Sequence, residues 1–149
     1  MVRIAVLGAT GYAAKELIRL LLAHPHAQIT ALTTRQDDKP HVGDVHPLLR
    51  GRLDLRLENL EPAEVAKRTE CVFCCLPHAA SAEVIKDLLA AGSRVVDFSA
   101  DYRLDDPAVY EKWYEHKHPD PSRMAVTMTN TAAPINRKGK NSIKPPIPP

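Results

Sequence analysis

The chain begins with a nearly unbroken apolar run. Val2, Ile4, Val6 and Leu7 follow one another with few polar interruptions, the pattern of a strand buried on both faces of a parallel sheet. From residue 11 to residue 23 the period changes: Ala14, Leu17, Ile18, Leu21 and Leu22 recur at three- and four-residue spacing, which predicts a crossover helix laid on that sheet. His24-Pro25-His26 ends it, since proline cannot continue the hydrogen-bond ladder, and both histidines are expected at the surface. The alternation then repeats. A strand is predicted over 28–32, a central strand from residue 71 in C-V-F-C-C-L-P-H, and a helix over 79–91 with Val84, Ile85, Leu88 and Leu89 inward and Gly92 closing it. A strand over 94–98 follows. Then comes a helix over 106–113, with Pro107 in its first turn and Val109, Tyr110 and Trp113 on one face. Only residues 36–60 read weakly, punctuated by Pro40, Gly43, Pro47 and Gly51. There Leu53, Leu55 and Leu57 alternate with charges like a half-buried edge strand, and a short helix is predicted over 62–68. Strands alternating with helices in this way predict an α/β fold, a doubly wound parallel sheet of Rossmann type.

Candidate chemistry sits where strands end. Between the first strand and first helix lies Gly8-Ala9-Thr10-Gly11, a G-x-x-G-x-x-A spacing with Ala14 at the third small position, rather than G-x-G-x-x-G. Gly8 can take a tight turn closed to residues with a Cβ, and Gly11 lets a pyrophosphate approach the backbone. The free N–H groups of the helix start would face that anion. Glycines after a strand also make plain turns, but the strand before, the helix after and the place in the chain agree on a dinucleotide. The second strand stops at Thr33-Thr34-Arg35, where the adenosine ribose lies in such a fold. An acid there favours NAD, whereas hydroxyls and an arginine can hold a 2′-phosphate. Thr34 and Arg35 fit NADP, with Asp37 and Asp38 as competing partners for the arginine or the ribose. Leu76-Pro77-His78 closes the central strand and is expected to touch the cofactor, and Ser99-Ala100-Asp101 again puts small and polar groups at a strand end.

Composition narrows the class. A chain of 149 residues with 44% hydrophobic content supports one domain with a core and no more. The net charge of +2 is concentrated in residues 124–149, which carry Arg137, Lys138, Lys140 and Lys144 without an acid. Basic residues so placed make no nucleic-acid footprint. No apolar run reaches membrane-spanning length and the first residues lack a signal-peptide pattern, so a cytoplasmic protein is expected. The three cysteines, Cys71, Cys74 and Cys75, invite a zinc reading with His78, but a strand sends neighbours to opposite faces, so the ligands would not converge. A disulfide is not expected in a cytosolic chain. A nucleophilic Cys75 would need an exposed, electropositive setting that this apolar run does not promise.

The segments G-A-T-G-Y, L-L-L-A-H-P, L-T-T-R, G-D-V-H-P-L-L-R-G, C-C-L-P-H-A-A-S, V-V-D-F-S-A-D-Y-R-L and Y-E-K-W-Y-E-H-K-H-P closely resemble the N-terminal half of N-acetyl-gamma-glutamyl-phosphate reductases, over residues 1–123. The resemblance implies NADPH-dependent reduction of N-acetyl-glutamyl phosphate to the semialdehyde in arginine or related biosynthesis. In this family a cysteine thiolate forms a thioester, hydride reduces it, and a histidine serves as acid and base. By the same resemblance Gly8, Thr10, Gly11 and Tyr12 match the pyrophosphate loop, and Thr34 and Arg35 the 2′-phosphate site. Leu76, Pro77 and His78 match the turn near the nicotinamide, and Ser99, Ala100 and Asp101 the strand end facing the cleft. After Arg123 the sequence departs from the family: no N-P-G-C-Y-P segment follows, and none of the three cysteines matches its nucleophile. The expectation is a dinucleotide-binding domain over 1–123, without its substrate domain and inactive alone. Residues 124–149, with five of the 13 prolines, are expected to form a disordered or extended tail. Two other readings stand beside it: another reductase of the semialdehyde dehydrogenase type, and a non-catalytic nucleotide-binding or interaction module with a Pro-rich ligand tail. The partners expected are the cofactor and, only with a substrate domain, the acyl phosphate, with a homo-oligomer possible and neither nucleic acid nor membrane.

Overall fold

The computed structural model describes residues 1–78 and 80–124. Five strands run in the sequence β1 (Val2–Leu7), β2 (Ala27–Thr33), β3 (Leu57–Glu58), β4 (Cys71–Cys74) and β5 (Arg94–Asp97). They pair in the order β3-β2-β1-β4-β5, and every ladder is parallel. The strand met first is therefore the middle of the sheet. Its order reverses direction beside β1, which is where a doubly wound sheet opens a crevice for a ligand.

The alternation along β1 explains how both faces are covered. Ile4 and Val6 point into one cluster with Ala14 and Ile18 of α1 (Tyr12–Leu21), and with Val42, Leu49 and Leu57. Ala5 and Leu7 point into the other, with Val65 of α3 (Pro62–Arg68) and Ala82, Ile85 and Leu88 of α4 (Ala80–Ala90). A run apolar at both parities thus supplies two cores. Each fully buried Ile, Val or Leu contributes about 1.5–3 kcal/mol relative to an exposed side chain.

The elements predicted from residue pattern lie within one or two residues of those observed, with two differences. The edge strand expected over Leu53, Leu55 and Leu57 shrinks to Leu57–Glu58. Leu53 and Leu55 do pack against the first core, but the backbone here bonds to the preceding loop: Val42 N–H donates to Leu55 C=O and Leu57 N–H to Pro40 C=O, at 2.9 Å each. The weakly patterned stretch instead holds a single helical turn, α2 (Val42–Val45), and a 3₁₀ turn (Pro47–Leu49). The last helix, α5 (Pro107–Tyr114), buries Tyr110 but leaves Trp113 exposed, so the expected apolar face is narrower. Met124 is fully buried. The Pro- and Lys-rich tail expected from there lies, from residue 125, outside the described residues. Among the described residues no helix is long and apolar enough to cross a membrane.

Candidate functional site

A cleft of about 980 Å³ opens at the carboxyl ends of β1, β2, β3 and β4. Its floor is the β1–α1 turn with Gly8, Thr10 and Gly11. One wall is Thr33, Thr34, Arg35 and Gln36 after β2. Beside it are Asn59, Leu60, Glu61 and Pro62 after β3, and toward β4 lie Cys75, Leu76 and Pro77 with Glu83, Val84 and Asp87 of α4.

The two glycines of the turn answer to different constraints. Gly8 has φ of +72°, and a Cβ there would lie 2.5 Å from the Cys75 carbonyl oxygen, so the fold itself requires glycine. Gly11 has an ordinary extended backbone, φ −77° and ψ 160°, and a Cβ would meet nothing nearer than Gly8 O at 3.6 Å. Among the described residues nothing forbids a side chain at Gly11, whereas a ligand lying against the turn would. No side chain caps the amino end of α1 and no acid stands in its first turn, so its N–H groups and positive dipole end remain open to an anion.

At the end of β2, Thr34 is buried and its Oγ1 accepts from Gln36 N–H at 3.1 Å, shaping the turn that carries Arg35. Arg35 is exposed on the cleft wall. None of the ion pairs among the described residues includes it, and Asp37 and Asp38 do not line the cleft.

The remaining candidates lie off the cleft. Tyr12 is exposed, with Lys15 Nζ 5.5 Å from its ring centroid. His78 is exposed too, its Nδ1 accepting from Ala100 N–H at 3.0 Å and its ring 5.6 Å from that of Tyr114. Ser99 and Ala100 are buried. The Ser99 hydroxyl donates to Asp97 Oδ2 at 2.7 Å and accepts from Asp101 N–H at 3.1 Å, while Ser81 donates to Asp97 Oδ1. Asp101, fully buried, accepts from Ala82 N–H in the first turn of α4 at 2.9 Å and from the Tyr110 hydroxyl at 3.0 Å. That hydroxyl is held well above the usual tyrosine range by burial and then by its bond to Asp101. The polar residues after β5 thus bond to one another and brace α4 and α5.

Strand geometry divides the cysteines. Cys71 and Cys75 pack on the first core and Cys74 on the second. Burial, and next the Asp97 carboxylate, push the Cys75 thiol up to about 11, and burial raises Cys71 and Cys74 as well. No described cysteine has the setting of a thiolate nucleophile at neutral pH.

Sequence reasoning missed the cleft residues that follow β3. Asn59 to Pro62 reach the cleft because β3 lies beside β2, a fact of strand order rather than of local pattern. Glu83 and Asp87 are one helical turn apart on α4, so the 3.6-residue period that placed Ile85 and Leu88 inward could have marked them as neighbours.

The model of the semialdehyde dehydrogenase NAD binding domain family matches residues 3–131. N-acetyl-gamma-glutamyl-phosphate reductase of Rhodopirellula baltica is 48% identical over 122 residues, which cover 82% of this chain and 35% of the relative. The enzyme of that name from Geobacter metallireducens is 50% identical over 127 residues, 85% of this chain and 37% of the relative. The chain spans about a third of the length of these curated relatives. Among solved structures, aspartate semialdehyde dehydrogenase with NADP from Candida albicans superposes with a TM-score of 0.63 at 24% identity, over 72% of this chain and 32% of that one. Aspartate semialdehyde dehydrogenase II of Vibrio cholerae, complexed with ASA, gives 0.55 at 15% identity, over 70% and 30%. These two likenesses concern the fold. A family match over nearly all described residues joins a β3-β2-β1-β4-β5 sheet and an open, uncapped glycine turn: the chain belongs to the semialdehyde dehydrogenase NAD-binding domain family, whose ligand is a nicotinamide nucleotide.

Proposed function

We propose that this chain is the NADP(H)-binding portion of an N-acetyl-gamma-glutamyl-phosphate reductase. It would serve NADPH-dependent reduction of N-acetyl-glutamyl phosphate to the semialdehyde. The curated relatives of that name support the reaction class, and one observation carries the choice of coenzyme: Arg35 stands on the cleft wall without an ion pair among the described residues, next to Thr34. A guanidinium there can take a 2′-phosphate through paired charge-assisted hydrogen bonds.

The residues present fit the nucleotide. The turn of Gly8, Thr10 and Gly11 offers the Thr10 N–H to the pyrophosphate, Arg35 and Thr34 hold the 2′-phosphate, and Leu60, Pro62 and Val84 add apolar surface to the cleft lining. Leu76 and Pro77 continue the cleft from the turn toward the nicotinamide end. Once bound, the dihydronicotinamide supplies a hydride. The chain's own part is to bind and orient, because its described cysteines keep their protons at neutral pH. Alone it binds coenzyme without turning over the acyl phosphate.

Fluorescence titration tests this directly. NADPH should bind more tightly than NADH, and Arg35→Ala should weaken NADPH by about tenfold or more while changing NADH by no more than about twofold. Equal losses for the two coenzymes would remove Arg35 from the 2′-phosphate site.

A further inference from the structure

His46 lies in the short excursion between β2 and β3, distant in sequence from the β1–α1 turn, and it does not line the cleft. It is nonetheless buried, at 6% exposure, and its Nε2 is 2.7 Å from the Ala9 carbonyl oxygen, 37 residues away in sequence. A carbonyl only accepts, so Nε2 carries the proton and donates. The backbone that carries the ring is fixed on both sides. The His46 N–H donates to Val42 C=O at 2.8 Å, the His46 C=O accepts from Leu49 N–H at 2.9 Å, and Pro47 holds the residue before it in an extended conformation, φ −127° and ψ 90°. Val42 and Leu49, on either side, are buried in the same cluster as Ala9.

The bond has a directional consequence. The Ala9–Thr10 peptide is trans and planar, so its C=O and N–H point in opposite directions. With the carbonyl fixed on His46, the Thr10 N–H is turned to the other side of the turn, where Gly8, Thr10 and Gly11 line the cleft. The neighbouring amides are already engaged: Ala9 N–H donates to Thr33 C=O at 2.9 Å and Gly11 N–H to Gly8 C=O at 3.2 Å. Among the described residues Thr10 N–H has no backbone acceptor, so it is free to meet a ligand.

We propose that His46 is a positioning residue for coenzyme binding: by donating Nε2–H to the Ala9 carbonyl it locks the peptide plane that aims the Thr10 N–H at the pyrophosphate. This rests on the reading that the glycine turn holds a dinucleotide pyrophosphate. It assigns the excursion of α2 and the 3₁₀ turn a task beyond covering the sheet.

The test compares His46→Gln with His46→Met, side chains of nearly equal size of which only glutamine can donate. Each is titrated with NADPH and, separately, with adenosine 2′-monophosphate, which lacks a pyrophosphate. His46→Met should bind NADPH about tenfold more weakly, the worth of one aimed hydrogen bond, and His46→Gln should stay within about twofold of the original chain. Adenosine 2′-monophosphate should bind all three alike. Equal NADPH affinity in the two variants, or parallel losses of both ligands, overturns the proposal. Should His46→Met fail to fold, the imidazole ¹⁵N spectrum of the unaltered chain decides: a protonated Nε2 is expected, and an unprotonated one overturns the proposal. Failure of the unaltered chain to bind NADPH sinks the dinucleotide reading itself and takes this inference with it, a result distinct from loss in the variants alone.

Discussion

The carboxyl ends of β1 and β5 carry the same kind of sequence, small and polar residues directly after an apolar strand, yet the fold uses them in opposite ways. After β1, the helix start is uncapped and, among the described residues, the Thr10 amide has no backbone acceptor. After β5, Asp97, Ser99 and Asp101 close on one another, on Ser81 and Ala82 of α4 and on Tyr110 of α5. Open donors at one strand end suit an incoming anion, and closed ones at the other make a brace. Residue type alone does not separate the two cases; what each group is bonded to does.

Breaking the contrast should begin with Gly8. Gly8→Ala forces a Cβ onto the Cys75 carbonyl in a left-handed backbone, and should cost roughly 3 kcal/mol or more in urea unfolding. A loss below about 1 kcal/mol would show that the turn can relax around a side chain. Next in size, Asp101→Ala strips Ala82 N–H and the Tyr110 hydroxyl of a buried acceptor and should cost roughly 2–3 kcal/mol. NADPH affinity of the folded fraction should stay unchanged; a matching loss of affinity would put the β5 end back in the cleft.

Gly11→Ala sharpens the comparison by separating binding from folding. Its backbone is already extended and a Cβ finds room, so stability should move by less than about 0.5 kcal/mol. NADPH should bind about tenfold more weakly, because the added methyl stands where the pyrophosphate approaches. Unchanged affinity would detach the turn from the ligand. The smallest effect is set by pH. The Cys75 thiol keeps its proton up to about 11 when folded, whereas the unfolded thiol loses it near the ordinary value of 9.0. Above that ordinary value the folded state therefore binds more protons, so stability should fall as pH rises from 9.0 toward about 11. Cys75→Ser should flatten the slope of the urea midpoint over that range, and an identical slope would leave Cys75 without a role in it.

Much of this was legible in the residues because local pattern and final packing agree. The apolar parity of β1, the stripe Ala14 and Ile18 on α1, and Ile85 and Leu88 on α4 all point into the cores the sequence predicts. Thr34 and Arg35 fall beside the cleft because the end of β2 is positioned by its pairing to β1. Other features depended on tertiary partners. Ser99 and Ala100 look like a strand-end site until Asp97, Asp101 and His78 are seen to engage them. Leu53 and Leu55 alternate like a strand, but only Leu57 and Glu58 pair with β2, while Leu55 C=O and Leu57 N–H bond Val42 and Pro40 of the preceding loop. His46 gave no local sign, since its acceptor lies 37 residues away.

The central place of β1 also bears on how the chain is made. Its residues leave the ribosome ahead of both neighbours. One edge can pair as soon as β2 follows, but the other stays open until Cys71–Cys74 has been synthesised. At translation rates of about 5–20 residues per second, the central strand of the sheet spends several seconds with an unpaired edge, so the nascent chain is most exposed to chaperone capture or misassociation before β4 arrives.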